Sequence, residues 1–312
     1  MWDLVQQYPK HSHQRWPRSG LPLGNIIKME HQPIPRILYK YKELNQYSKR
    51  ILKNGELYFP SVNQLNDPFE GNIPFVMDPK TVTEENMKLK MREILKKRYP
   101  YYSDEEIEIE IDELFKDSES RKNMFNPAPP QGHTEQTRKK IEKSFGIFSL
   151  TANKNNFLMW SHYADSHSGL CFGFDTQKIY NSIIGKNIIN NSICGTEYYN
   201  SSIGGFQKII YQKYLPLFSV NEGLNTFIQK MLCTKSYIWK YENEYRLIKA
   251  QASQKIETIP LDAIVSVTLG CNMAVENKKL LMTQITKKNP GIHIFETRVS
   301  KSMFKLVIKR IY

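Results

Sequence analysis

No stretch of this chain reaches the run of about 18 apolar residues that crosses a bilayer as a helix. The first twenty residues, MWDLVQQYPKHSHQRWPRSG, contain no apolar core of the kind a secretory signal needs. The expectation is therefore a protein with no membrane span, cytoplasmic or delivered by a route that needs no such signal. Cysteine is scarce. Cys171, Cys194, Cys233 and Cys271 are far apart and form no CxxC pair, which argues against a disulfide framework or a zinc ribbon and for reduced, mostly buried thiols. A Walker loop, a GxGxxG opening a βαβ unit, a GxSxG elbow and an HExxH helix are all missing, so the familiar nucleotide-fold and hydrolase signatures are excluded. Glycine and proline, at 15 and 16 residues, are too ordinary for low-complexity disorder.

What is present is a chain of 312 residues, 40% hydrophobic, enough for one large domain or two modest ones. The formal net charge of +13 favours a polyanionic partner: nucleic acid, a nucleotide or an anionic membrane surface. Residues 1–33 are polar, basic and without period, and read as an irregular arm. A single α+β domain is expected over 34–312, with a helical insertion at about 81–145. Its first unit is strand Ile37–Tyr41, helix Asn45–Lys53, a cap and turn at Asn54-Gly55, and strand Glu56–Pro60. In the insertion, Ser103 and Glu106 have the spacing of a capping box, and eight acidic residues fall between Asp104 and Asp117. Further strands are predicted at Gly146–Thr151, Gly169–Phe174, Gly195–Tyr199, 243–250, 263–270, 292–300 and 304–311, and helices at 134–144 and 274–288, with another beginning near 226.

Three strings carry residues that can do chemistry. In "YENEYR" (241–246), Glu242 and Glu244 stand two apart, which on a strand puts both carboxylates on one face with Arg246 next in line. Like charges side by side need a cation to answer them, and Arg246 or Lys235 can do so. In "NDPFE" (66–70), Asn66 and Asp67 can lock a turn through side-chain to backbone bonds. In "MWSHYADSH" (159–167), read as a helix, Trp160, Tyr163 and His167 share one face while His162 lies on another. The two histidines are five apart, not the four that pairs ligands on a helix, so no metal site is assigned. A purely structural turn and a solvated edge strand are the plain alternatives for these strings.

Together "LYKY…ILKNGELYFPSVNQLNDPFEG", "FSLTANKNNFLMWSHYADSHSGLCFGFD" and "KSYIWKYENEYRLI" with "IVSVTLG" resemble domain-of-unknown-function family 2971, over roughly residues 36–290. A weaker resemblance, at the level of element order, is to ADP-ribosyltransferases. It implies two small packed sheets with flanking helices and NAD held in the cleft between them. Carried over, Tyr39 or Lys40 would contact the ribose or pyrophosphate, and Tyr163 would stack near the nicotinamide. Glu244, with Glu242 as companion, would stabilise the cationic ribose as nicotinamide leaves. The first strand carries Tyr-Lys-Tyr where those enzymes place His or Arg. The candidate set is thus Glu244, Glu242, Tyr163 and His162 for catalysis, and Tyr39, Lys40, Asn66, Asp67, Trp160, His167 and Arg246 for NAD. The implied role is an NAD-using enzyme in a bacterial toxin or phage-defence setting. Two alternatives stand beside it: a nucleic-acid-binding or regulatory module without chemistry, and a metal-dependent nuclease using His162, His167 and a carboxylate.

Overall fold

The computed structural model describes residues 34–73, 76–125, 131–185 and 204–312. The chain divides into two units, Met1–Gln32 and Pro33–Tyr312, and every described residue falls in the second. The expected basic arm over 1–33 and the expected strand Gly195–Tyr199 lie outside the described residues.

In chain order, β1 (Ile37–Lys42) is followed by α1 (Gln46–Asn54) and β2 (Glu56–Phe59). Asn45 caps α1 by accepting from the amides of Tyr47 and Ser48. Gly55 ends it in the left-handed region at φ 69°, where a Cβ would sit 2.1 Å from the Ile259 carbonyl oxygen. Helices α2 (Glu84–Arg98), α3 (Asp104–Lys116), α4 (Ser118–Met124) and α5 (Gln131–Ser144) come next. The Ser103–Glu106 capping box forms as its spacing predicts. The insertion has a small core of its own, Leu95, Ile107, Ile111 and Phe115.

The remaining elements are β3 (Phe145–Thr151), α6 (Phe157–Tyr163), β4 (Leu170–Asp175), α7 (Thr176–Ile183), β5 (Gly205–Lys208), β6 (Ile210–Gln212), α8 (Leu224–Cys233), β7 (Thr234–Ser236), β8 (Glu244–Ala250), β9 (Lys255–Thr258), β10 (Ile264–Leu269), α9 (Val275–Lys288), β11 (His293–Val299) and β12 (Leu306–Arg310). Of these, α7, β5, β6, β7 and β9 are not anticipated from sequence. They are short, and too few residues set a period.

The fold is mixed α and β, and the expected pair of small sheets is replaced by one large sheet. Eight strands run in the order β12-β11-β10-β4-β1-β3-β8-β5, beside the two-stranded ribbons β2-β9 and β6-β7. Only β10 and β11 are parallel within the large sheet. One seam in it is narrow. β1 pairs with β4 from Ile37 to Lys42, and β3 with β8 from Phe145 to Thr151. Between β1 and β3 the register holds at a single pair, Tyr39 with Thr151.

Packing follows from alternation. Leu38, Phe148, Leu150, Phe172, Phe174, Tyr245 and Leu247 share one core with Ile51 of α1, Ile179 of α7 and Leu281 of α9. Ile147 and Ile248 belong to a second core with Ile228, Met231 and Leu232 of α8. Tyr41, Trp160, Cys171 and Leu306 belong to a third. Cys171 and Cys233 are buried free thiols, Cys271 is a partly buried one, and Cys194 lies outside the described residues.

Candidate functional site

The two glutamates of "YENEYR" do not share a strand. Glu242 ends a 3-10 turn, Tyr237–Glu242, and Asn243 takes the left-handed region at φ 43° before β8 begins at Glu244. This corrects the expectation of one strand face. The turn is held from outside: Thr151 Oγ1 donates to the Glu242 carbonyl, and Asn156 Nδ2 donates to the Tyr241 carbonyl at 2.7 Å. The reversal at Asn243 folds Glu242 back, and both carboxylates meet the same cation. Lys235 Nζ lies 2.6 Å from Glu242 Oε2 and 3.2 Å from Glu244 Oε2. It also lies 3.2 Å from Glu70 Oε1 and sits over the Trp239 ring at 4.9 Å.

Arg246, two residues along β8 on the same face as Glu244, completes the network. Its Nε donates to Glu244 Oε1 at 2.8 Å and its Nη2 to Glu70 Oε1 at 2.5 Å, while Nη1 donates to the Leu232 carbonyl. All five side chains are buried. Burial pushes Glu244 up, but Arg246 and Lys235 outweigh it and bring its carboxyl down to about 2. Burial pushes Glu70 up, and here the two cations do not overcome it. Burial works against the Lys235 ammonium, yet three carboxylates hold it above the ordinary lysine value.

This network forms one wall of a pocket of about 90 Å³. Tyr39, Lys40 and Tyr41 line it from β1, Ser149, Leu150 and Thr151 from β3, Asn66 and Glu70 from the NDPFE turn, and Tyr163 from α6. Tyr163 donates its hydroxyl to Glu242 Oε1 at 2.5 Å and accepts from Asn66 Nδ2 at 2.9 Å. Burial and then the Glu242 carboxylate hold its phenol well above the usual tyrosine range, so it stays a donor. Lys40 bridges the narrow seam: Nζ donates to the Ser149 carbonyl at 2.7 Å and lies over the Phe148 ring at 4.5 Å. Burial first, then Lys42, draws its ammonium down to about 7 against the pull of Glu244 and Glu242. The pocket therefore pairs a carboxylate fixed by two donors with an amine that can be either protonated or free at neutral pH.

Of the candidates read from sequence, Tyr39, Lys40, Asn66, Tyr163, Glu242 and Glu244 line this one pocket. Arg246 is not in its lining and stands behind Glu244. Trp160 is fully buried, edge-on to Tyr41 with ring centroids 5.2 Å apart, so it has no face left for a ligand. Asp67 is buried too, its Oδ1 accepting from the Phe69 amide, and acts on the turn rather than in the pocket. His162 is exposed and lies beside Tyr163 and Tyr241 outside the lining.

His167 is not on the helix at all, which corrects the expected shared face. The helix α6 stops at Tyr163, and Asp165, Ser166 and His167 are successively left-handed, at φ 47°, 48° and 70°. Such residues cost about 1–2 kcal/mol each. Hydrogen bonds from the His167 amide to the Trp160 carbonyl and from the Asn272 amide to the His167 carbonyl offset this. The His167 ring packs on Phe157 instead, 4.7 Å between centroids. Among the described residues no group of three or more His, Cys, Asp or Glu side chains is placed to hold a metal ion, so the two histidines bring no ligand set to the nuclease alternative. No helix among the described residues is long and apolar enough to cross a membrane.

Lys235 was legible only as a counter-charge and Glu70 only as the exit of a turn. Both are central. The one available signal was charge balance, two glutamates and one arginine in "YENEYR" leaving room for another cation.

Residues 159–247 match the family model of DUF2971, proteins of unknown function. The match runs from α6 to β8, so it takes in Tyr163, Lys235, Glu242, Glu244 and Arg246 and leaves out β1 and the NDPFE turn. No curated protein and no solved structure matches the chain.

Proposed function

We propose that the pocket is the active site of an ADP-ribosyltransferase-like enzyme that takes NAD as substrate and passes the ADP-ribosyl group to nucleic acid, protein or water. The observation that supports this is convergence: residues from three separate strings, Tyr39 and Lys40, Tyr163, and Glu242 with Glu244, line one pocket. The key acid on this reading is Glu242. Glu244 is committed to Arg246 and Lys235, whereas Glu242 meets the pocket with only Tyr163 and Lys235 as partners. As the bond to nicotinamide breaks, positive charge builds on the ribose, and a fixed carboxylate beside it stabilises that charge without reorganising. Lys40, free of its proton near neutral pH, would take the proton of the incoming hydroxyl. At about 90 Å³ the pocket is smaller than the roughly 150 Å³ that admits a benzene ring. On this reading the pocket must widen before the nicotinamide end of the dinucleotide enters, and the exposed Asn66, hydrogen-bonded to Tyr163, is the side chain placed to move.

A second reading is a nucleic-acid-binding or regulatory module in which the network only holds the fold. The full mutual pairing of Glu70, Glu244, Lys235 and Arg246 favours it. A cytoplasmic toxin or phage-defence setting belongs to the first reading only. Nicotinamide release from NAD separates the two, measured for wild type and Glu242→Gln with and without nucleic acid. Release by the wild type that drops at least a hundredfold in the folded variant is the expected result. A folded wild type that releases none under any condition overturns the enzyme reading and leaves the module.

A further inference from the structure

A second pocket opens on the other side of Lys40. It is lined by Lys40 and Lys42 of β1, Tyr47, Arg50 and Ile51 of α1, Glu56 and Tyr58 of β2, Phe148 of β3 and Ile256 of β9, and encloses about 50 Å³. None of these elements except β1 and β3 contributes to the acidic pocket. The chemistry is reversed. Three basic side chains, Lys40, Lys42 and Arg50, face one carboxylate, and that carboxylate, Glu56, is engaged by Arg50 at 3.3 Å. Among the described residues Lys42 has no ion-pair partner, and Lys40 feels Glu244 and Glu242 from the acidic pocket. Burial draws the Lys42 ammonium below the ordinary lysine value, with Glu43 the one opposing charge. Lys42, a partly desolvated cation without a carboxylate partner in this cavity, is costly there unless an anion joins it.

The rim is aromatic. Tyr47 is 60% and Tyr58 45% exposed, and Ile256 beside them is 52% exposed. A cavity this small suits one phosphate group. The flat, exposed rings at its mouth suit a base stacked outside it, a combination that recurs where nucleotides are held by backbone charge and base stacking.

The geometry points to a nucleotide-binding site, distinct from the acidic pocket, in which Lys42 and Arg50 hold a phosphate and Tyr47 and Tyr58 flank the base. The shared chemistry fits a free nucleotide or one unit of a single strand, and nothing in it depends on the reaction proposed for the acidic pocket. A protein that releases no nicotinamide tests it equally well.

The experiment is equilibrium binding of ADP, adenosine and a twelve-residue oligothymidine. It compares wild type with Lys42→Gln, Arg50→Gln and Tyr58→Ala, none of which lines the acidic pocket. Circular dichroism confirms that each variant is folded. Lys40 is left intact because it lines both pockets. The expected result is that ADP or the oligonucleotide binds, and that each charge-removing variant weakens binding at least tenfold. Tyr58→Ala should weaken it severalfold, and adenosine should bind at least tenfold less tightly than ADP. The tighter of ADP and oligonucleotide identifies the source of the nucleotide. No binding of either by wild type, or binding that Lys42→Gln and Arg50→Gln leave unchanged, overturns the site.

Discussion

Glutamates two apart occur in two segments of this protein with opposite outcomes. In α3, "EIEIE" carries Glu106, Glu108 and Glu110 on the surface of the helical insertion, and Glu108 pairs with Arg92. In "YENEYR", Glu242 and Glu244 are buried, and Glu244 pairs with Arg246. Side-chain exposure is 44% for Glu108 and 5% for Glu244. The residue types, the spacing and the arginine partner are alike. Around Glu108, water screens the charge and the pair adds little to stability. Around Glu244 screening by water is weak, so each charge must be answered by another and the network stands or falls as a unit. The surface glutamates make an insertion soluble. The buried ones make a wall.

The largest break in this comparison is expected from Arg246→Met. It strands Glu70 and Glu244 with Lys235 as their only cation, and urea unfolding should show a loss of about 3–5 kcal/mol. A loss below about 1 kcal/mol would mean that the network is no more than a surface pair moved indoors.

Lys40→Met sharpens the contrast from the cationic side, and its sign depends on pH. Lys42, Glu242 and Glu244 are the charges acting on Lys40, and its proton is held less tightly in the fold, at about 7, than in the unfolded chain, at 10.5. Between these values the unfolded chain binds more protons, so wild-type stability rises with pH through this window. The substitution should therefore stabilise below pH 7, by about 2–4 kcal/mol at about 1.4 kcal/mol per pKa unit, with some loss to screening. The gain should fade by pH 10.5. Urea titrations at pH 6, 8 and 10 that show a constant difference would contradict it.

The smallest effect is expected from Arg92→Ala. The exposed pair with Glu108 should be removable with no measurable change in the urea midpoint, whatever the pH.

Much of the fold was readable because it rests on local rules. Asn45 and Gly55 mark the two ends of α1, Ser103 and Glu106 start α3, and the turn at Asp67 uses its own side chain. The site was readable in its parts, since a glutamate pair, a tyrosine and a Tyr-Lys strand announce themselves as polar residues among apolar ones. Trp160, His162, His167 and Asp67 do not line the pocket, and no local pattern tells them from the residues that do. Helical spacing ends at Tyr163, where a left-handed turn begins, and nothing in "ADSH" signals three such residues in succession. Burial of Trp160 against Tyr41 depends on a strand more than a hundred residues earlier, which no local pattern contains.

By itself the sequence determined the longer helices and strands, the caps of α1 and α3, and that "YENEYR" requires a cation. Those outcomes depend on neighbours within a few residues. Only the tertiary structure decided that Lys235 and Glu70 supply the balance, that β1 and β3 hold register at one pair, and that Lys40 spans the opening between an acidic and a basic pocket. The physical reason is range. Capping and periodicity act over one or two turns, but the cost of a buried charge is set by everything that excludes water from it, and those groups arrive from the whole chain.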